Sequence, residues 1–218
     1  MKKLTFKQRM MLERESLIIE TVNHLLATKG YDAMTVDEIA DTVGIAKASL
    51  YRHFPSKEAL GMAALVDIMH KALEVINQLN ATDQTAIDKL KALTQWAMRL
   101  KLAQKMPNLP SENSQLRELL IANDDYTNNL VMLSDSIGEW IEQAQAEGRL
   151  QSNIPGLAIL YTLYARACDP VLGFLRSSQL YDDDEIIAIV TRTCFEGITY
   201  IQRTQTTKNR QLKTQDSV

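Results

Sequence analysis

The sequence has little of the residues that interrupt helices. Its 218 residues include 8 glycines and 5 prolines, where average usage would give about 15 and about 11. That scarcity disfavours loop-rich β folds and collagen-like repeats, so an all-α chain is the expectation. Cysteine is scarcer still: Cys168 and Cys194 are too few and too far apart for a disulfide framework. Two thiols with three histidines make no zinc cluster of recognisable spacing, and neither a metal nor any other cofactor is expected. Long apolar runs are missing too. The longest, Leu157 to Tyr164, contains Thr162 and is closed by Arg166, far short of the ~20 residues that cross a bilayer. The basic start, Met1 to Arg9, is followed by Glu13, Arg14 and Glu15 where a secretory signal needs an apolar core. No membrane partner is therefore expected, and a reducing cytoplasm is the expected compartment. There is no Gly-rich phosphate loop and no Ser-His-Asp or Cys-His constellation, and His24, His53 and His70 fall in separate helical segments, which argues against an enzyme.

Net positive charge is also lacking. The formal net charge of -3, from 24 basic and 27 acidic residues, would by itself count against a nucleic-acid partner. Its distribution reverses that inference. Residues 1 to 60 carry 9 basic and 8 acidic side chains, the remainder 15 and 19, so the two parts are +1 and -4. Lys2, Lys3, Lys7, Arg9 and Arg14 stand against only Glu13 in the first 14 residues, a basic N-terminal arm of net +4 suited to a phosphate backbone or simply to solubility.

What is present is helical periodicity. Met11, Ile18, Val22 and Leu25 form a stripe that ends at Lys29-Gly30. Thr35-Val36-Asp37-Glu38 reads as a capping box, and Val36, Ile39, Ala40 and Val43 continue it as a short helix stopped by Gly44. A third short helix, Ile45 to Phe54, runs into Pro55. Ser56 caps a fourth, Lys57 to Gln78. Two short helices joined at a glycine and braced by longer ones make a helix-turn-helix. Five further helices are expected over 83–105, 111–121, 124–146, 155–176 and 182–203, with a kink at Asp169-Pro170. The end, 204–218, is expected to be a disordered tail because Leu212 and Val218 are its only aliphatic residues.

In a helix-turn-helix the second helix enters the major groove, N-terminal residues first. Here those are Ala46, Lys47, Ala48 and Ser49, with Tyr51, His53 and Lys57 placed to donate to phosphates. Thr35-Val36-Asp37-Glu38-Ile39-Ala40, then Val43-Gly44-Ile45, then Ser49-Leu50-Tyr51-Arg52-His53-Phe54-Pro55-Ser56-Lys57-Glu58-Ala59-Leu60 resembles the DNA-binding domain of TetR-family transcriptional regulators. The resemblance covers roughly 14–65. It implies an all-α homodimer with an N-terminal three-helix DNA-binding domain, 1–56, and a C-terminal ligand-binding and dimerisation domain, 57–203. It also places Thr35, Lys47, Ser49, Tyr51, His53 and Lys57 at the DNA-contact positions. Ala46 departs from the serine that often caps the recognition helix in that family, and Ala48 from its glycine or proline.

Beyond the motif the residues suggest two further sites. A set rich in large rings and thioethers, Trp96, Met98, Leu102, Met106, Tyr126 and Leu130, offers candidates for a ligand pocket. Leu133, Trp140, Tyr161, Tyr164 and Phe174 join them, each with the alternative of being ordinary core. Arg166 and Asp169, three apart on an apolar segment, pair with each other or across a dimer, or else Arg166 meets a ligand anion. The last two helices are apolar on more than one side. Leu172, Leu175, Ile187, Val190, Cys194, Ile198 and Ile201 are the candidate dimer interface, the alternative being a monomer core. These features together indicate a dimeric DNA-binding regulator, a repressor released from a palindromic double-stranded operator by a small-molecule effector. The alternatives are a DNA-bound scaffold that recruits a protein without a ligand, and a helical enzyme or carrier with a vestigial motif.

Overall fold

The computed structural model describes residues 4–108 and 115–198. Among the described residues every regular element is helical. The first helix, α1 (Phe6–Thr28), begins earlier than its apolar stripe suggests. Thr5 and Gln8 form a reciprocal capping box that starts it, so Lys7, Arg9 and Arg14 ride on a helix and not on an extended arm. A single turn, α2 (Gly30–Ala33), which no periodicity in the sequence marks, joins α1 to the next helix.

Thr35 caps α3 (Val36–Val43), its hydroxyl accepting from the Glu38 amide. The box is half formed, because the Glu38 carboxylate binds the Lys29 ammonium instead of turning back. Gly44 closes α3 at φ 73°, a left-handed conformation that costs a side-chain-bearing residue energy and glycine little. Next comes α4 (Lys47–His53), whose cap position, Ala46, has no side-chain acceptor to offer. Ser56 caps α5 (Lys57–Asn80) through the Ala59 amide.

The longer helices follow: α6 (Ala86–Leu102), α7 (Gln115–Ile121) and α8 (Asp124–Ala146), the first and last capped by Thr85 and Asn123. The single kinked helix expected over 155–176 is instead two. After α9 (Gly156–Tyr164) a 3₁₀ turn, Ala165–Cys168, leads to Asp169 in an extended conformation. Asp169 accepts from the Val171 amide and Pro170 takes the first position of α10 (Pro170–Ser177). Proline is well tolerated there because that N–H has no intrahelical partner anyway, so the sequence breaks and restarts the helix where a kink was expected. The final helix, α11 (Asp183–Glu196), is opened by an Asp182–Glu185 capping box and ends at Gly197. Residues 199–203, the expected tail, Ile201 and the expected start at Ser111 lie outside the described residues.

Two main cores result. Ile18, Val22, Leu26, Met34, Ile39 and Leu50, from α1 to α4, close on Leu60 and Ala64 at the start of α5. A second core gathers Ile76, Ile87, Leu90, Ile137, Trp140 and Leu160 from α5, α6, α8 and α9. Helix α5 is common to both and runs 24 residues between them, a rise of about 36 Å. A smaller core joins Met98 and Leu102 of α6 to Leu172, Ile186, Ile187 and Val190 of α10 and α11. Helix α7 is seated on α5 through Leu116 and Leu120 against Leu65. Gly61 permits that approach: a β-carbon there would stand 3.1 Å from Leu116 and 3.2 Å from Tyr31.

Candidate nucleic-acid face and effector cavity

The buried residue of α4 is Leu50, which anchors the helix on the N-terminal core and turns the opposite side to solvent. Around it Lys47 and Tyr51 are exposed and Ser49 is half-buried. Lys47 bonds Asp37 of α3 at 2.8 Å, and the Asp37 carboxylate raises the Lys47 pKa. The pair is solvent-exposed, so it is easily broken, and Lys47 can exchange Asp37 for another anion at little cost. Thr35 is spent in part as the α3 cap, while its exposed position leaves the hydroxyl oxygen reachable.

Like Lys47, both His53 and Lys57 have partners within the domain. His53 is largely buried and its Nδ1 lies 3.0 Å from the Glu15 carboxylate of α1. It ties α4 to α1, a role its position past the first turn of the helix does not announce. Lys57 donates to the Asp32 carbonyl at 3.3 Å and lies 4.5 Å from the Tyr31 ring centre. The Tyr31 hydroxyl in turn donates to Glu58 at 3.1 Å. Burial, followed by the Glu58 charge, raises the Tyr31 pKa.

The second site is a cavity of about 240 Å³ among α5, α6, α8, α9 and the 3₁₀ turn. Its wall contains Trp96, Tyr126, Leu130 and Tyr164, together with Met106 and Leu133, from among the sequence candidates. Burial raises the pKa of both Tyr126 and Tyr164, and the Tyr164 hydroxyl lies 3.0 Å from Ser134 Oγ. Other nominated residues lie elsewhere. Met98 and Leu102 belong to the core between α6 and α11. Trp140 is buried in the main C-terminal core and its Nε1 donates to Asn80 at 3.0 Å. Tyr161 and Phe174 face solvent, 62% and 73% exposed. Arg166 pairs with the buried Asp169 carboxylate, the structural alternative among those its sequence left open.

Periodicity misassigned part of the candidate interface. Leu172, Ile187 and Val190 are buried within the subunit against α6, and Leu175 packs on the same cluster. Cys194 packs on the main C-terminal core, where burial raises its thiol pKa. Ile198 is exposed. On α9 and α10 the large apolar residues left open to solvent are Leu157 and Tyr161, four apart, and Val171 and Phe174, three apart, with Leu180 beyond.

A connection between the two sites is absent from any sequence pattern. Met106 and Pro107 line the cavity, and the next residue, Asn108, donates through Nδ2 to the Leu26 and Ala27 carbonyls in the last turn of α1, 3.1 Å in each case. Lys101 holds the other end of that amide at 2.6 Å. His24 of α1 meets the Gln104 carbonyl at 3.3 Å. A polar residue directly after a proline and just past a helix end is the single hint the sequence offers, and it is a weak one.

Residues 18–64 match the family model described as bacterial regulatory proteins, tetR family. The uncharacterised HTH-type transcriptional regulator YuxN of Bacillus subtilis is 51% identical over 55 residues, 25% of this chain and 19% of YuxN, so the match spans about a fifth of that relative. The HTH-type transcriptional repressor AcnR of Corynebacterium jeikeium is 24% identical over 174 residues, 77% of this chain and 84% of AcnR. Among solved structures, the transcriptional regulator FadR of Bacillus subtilis in complex with stearoyl-CoA superposes with a TM-score of 0.65 at 19% identity, covering 84% of this chain and 99% of FadR. The order of elements, the helix-turn-helix of α3 and α4 and the family match agree: residues 18–64 form a helix-turn-helix segment that matches the tetR family of bacterial regulatory proteins.

Proposed function

We propose that the chain is a homodimeric, DNA-binding transcriptional repressor released from its operator by a small-molecule effector. The observation that carries this reading is the loop 103–108, which is at once cavity wall, through Met106 and Pro107, and a clamp on the last turn of α1, through Asn108. Helix α5 makes a second connection, since Leu65, Ile68, Met69 and Ala72 line the cavity while Leu60 and Ala64 sit in the N-terminal core. An effector that fits the cavity better when loop and α5 are displaced shifts α1, α3 and α4 with them, and only that difference in affinity moves the equilibrium. Two copies of α4 related by a two-fold axis would then lose their register on half-sites one helical turn apart. The regulator names of YuxN and AcnR and the acyl-CoA bound to FadR support the class of function.

The test is a titration of DNA selected from genomic fragments against the wild-type chain and the double variant Lys47→Ala, Tyr51→Phe. Both positions are exposed, so folding should be unchanged. A regulator loses affinity on all sequences by a similar factor, and its log-log salt slope falls by about 1 for each phosphate contact removed. Wild-type affinity and slope in the double variant would refute the assignment, and would favour a carrier with a vestigial motif.

A further inference from the structure

We propose that the effector is a neutral aromatic compound of one or two rings, and that organic acids and coenzyme A thioesters are excluded from the cavity; this rests on the regulator reading above. Among the described residues that line the cavity, none carries a charge at neutral pH. The ionisable members are Tyr126, Tyr164 and Cys168, and burial raises both tyrosines further from ionisation. An anion brought into such a wall loses its hydration and gains no counter-charge, the costliest form of burial.

The polar atoms present suit a hydroxyl and little more. The Thr94 hydroxyl already donates to the Leu90 carbonyl at 2.7 Å, so its remaining capacity is to accept. Tyr164 shares its hydroxyl with Ser134. One ligand O–H could be satisfied here, while a carboxylate or phosphate, with several acceptor sites, could not.

Size narrows the class. An apolar cavity of about 150 Å³ takes one benzene, so about 240 Å³ admits a molecule roughly half as large again, in the range of naphthalene. A long acyl chain does not fit that volume. The surroundings favour rings: Trp96, Tyr126 and Tyr164 offer faces and edges, and Met69 and Met106 offer polarisable thioethers. The resemblance to a stearoyl-CoA-binding structure therefore extends to fold and not to ligand.

Calorimetric titration of the full chain with 1-naphthol, 1-naphthoate, decanoate and stearoyl-CoA tests this directly and needs no operator. The expected result is saturable 1-naphthol binding at least ten-fold tighter than any of the three anions. Ala97→Phe, which fills the cavity from α6, should abolish it. Ala97→Leu, a smaller addition, should weaken it and serves as the check if the phenylalanine variant melts well below wild type. Tighter binding of stearoyl-CoA or decanoate, no binding of 1-naphthol, or 1-naphthol binding untouched by both substitutions would each overturn the proposal. Those outcomes are separable from failure of the regulator reading, which is decided by DNA affinity alone.

Discussion

His53 shows how a side chain in a recognition helix can serve the domain. Its imidazole meets Glu15 at 3.0 Å in a largely buried position, where a net hydrogen bond is worth about 1 kcal/mol. His53→Ala should therefore lower the melting temperature by about 2–4 °C for a chain of this size and leave the salt slope of DNA binding unchanged. Unchanged melting with a reduced slope would instead place His53 on a phosphate. Glu58 gives a pH signature. Its carboxyl is held below the ordinary value, first by its own backbone N–H at the start of α5, then by the Ser56 hydroxyl, with Tyr31 and Lys57 adding smaller effects. A carboxyl depressed in the folded state adds stability above its unfolded pKa and loses it as pH falls through the folded one. The melting-temperature gap between wild type and Glu58→Gln is thus expected to be constant near neutrality and to close below about pH 4.5. The gap should be small because the group is largely solvated.

At the scale of elements, the loop 103–108 after α6 reaches the end of α1. Asn108 satisfies two of the carbonyls that the C-terminus of α1 would otherwise leave to water. Asn108→Ala removes that clamp while keeping Met106 and Pro107 in the cavity wall. The expected outcome is nearly unchanged effector affinity with a reduced coupling factor, measured as the change in DNA affinity at saturating effector. Because linkage is reciprocal, DNA should weaken effector binding by the same reduced factor. Full coupling in the variant would assign transmission to α5 alone. The break between α9 and α10 has a similar logic. Asp169 is buried, capped onto Val171 and neutralised by Arg166, which fixes the direction in which α10 leaves.

For the whole molecule, the homodimer proposed above requires a surface that brings two copies together. Leu172 is fully buried within the subunit, whereas Phe174, two residues on, is 73% exposed. Leu172→Ala should cost about 2–5 kcal/mol of stability without changing the oligomeric state. Tyr161→Asp with Phe174→Asp should leave the melting of the subunit nearly intact and convert a dimer to a monomer in sedimentation velocity. A stable dimer that survives the double aspartate variant would move the interface away from α9 and α10. The net charge of -3 makes DNA binding at this scale depend on local cations, so affinity should fall steeply with salt.

Most of the helices and the motif are legible in local sequence, while α2 and the break between α9 and α10 are not. Glycine at 44, the threonine and serine caps at Thr35 and Ser56, and the 3.6-residue spacing of Val36, Ile39, Ala40 and Val43 act over one or two turns, and local backbone chemistry is enough to read them. Lys47 and Tyr51 are legible in the same way, as exposed members of a short helix whose buried residue is Leu50. Periodicity says that a face is apolar and nothing of what covers it. For that reason Leu172, Ile187 and Val190 read as interface and are core, and Met98, Leu102 and Trp140 read as pocket and are core. Only the tertiary structure decided which rings face a void, that Asn108 reaches α1 across some 80 residues of chain, and that His53 answers to Glu15. Such contacts join segments distant in sequence, and no local pattern of residues specifies their partners.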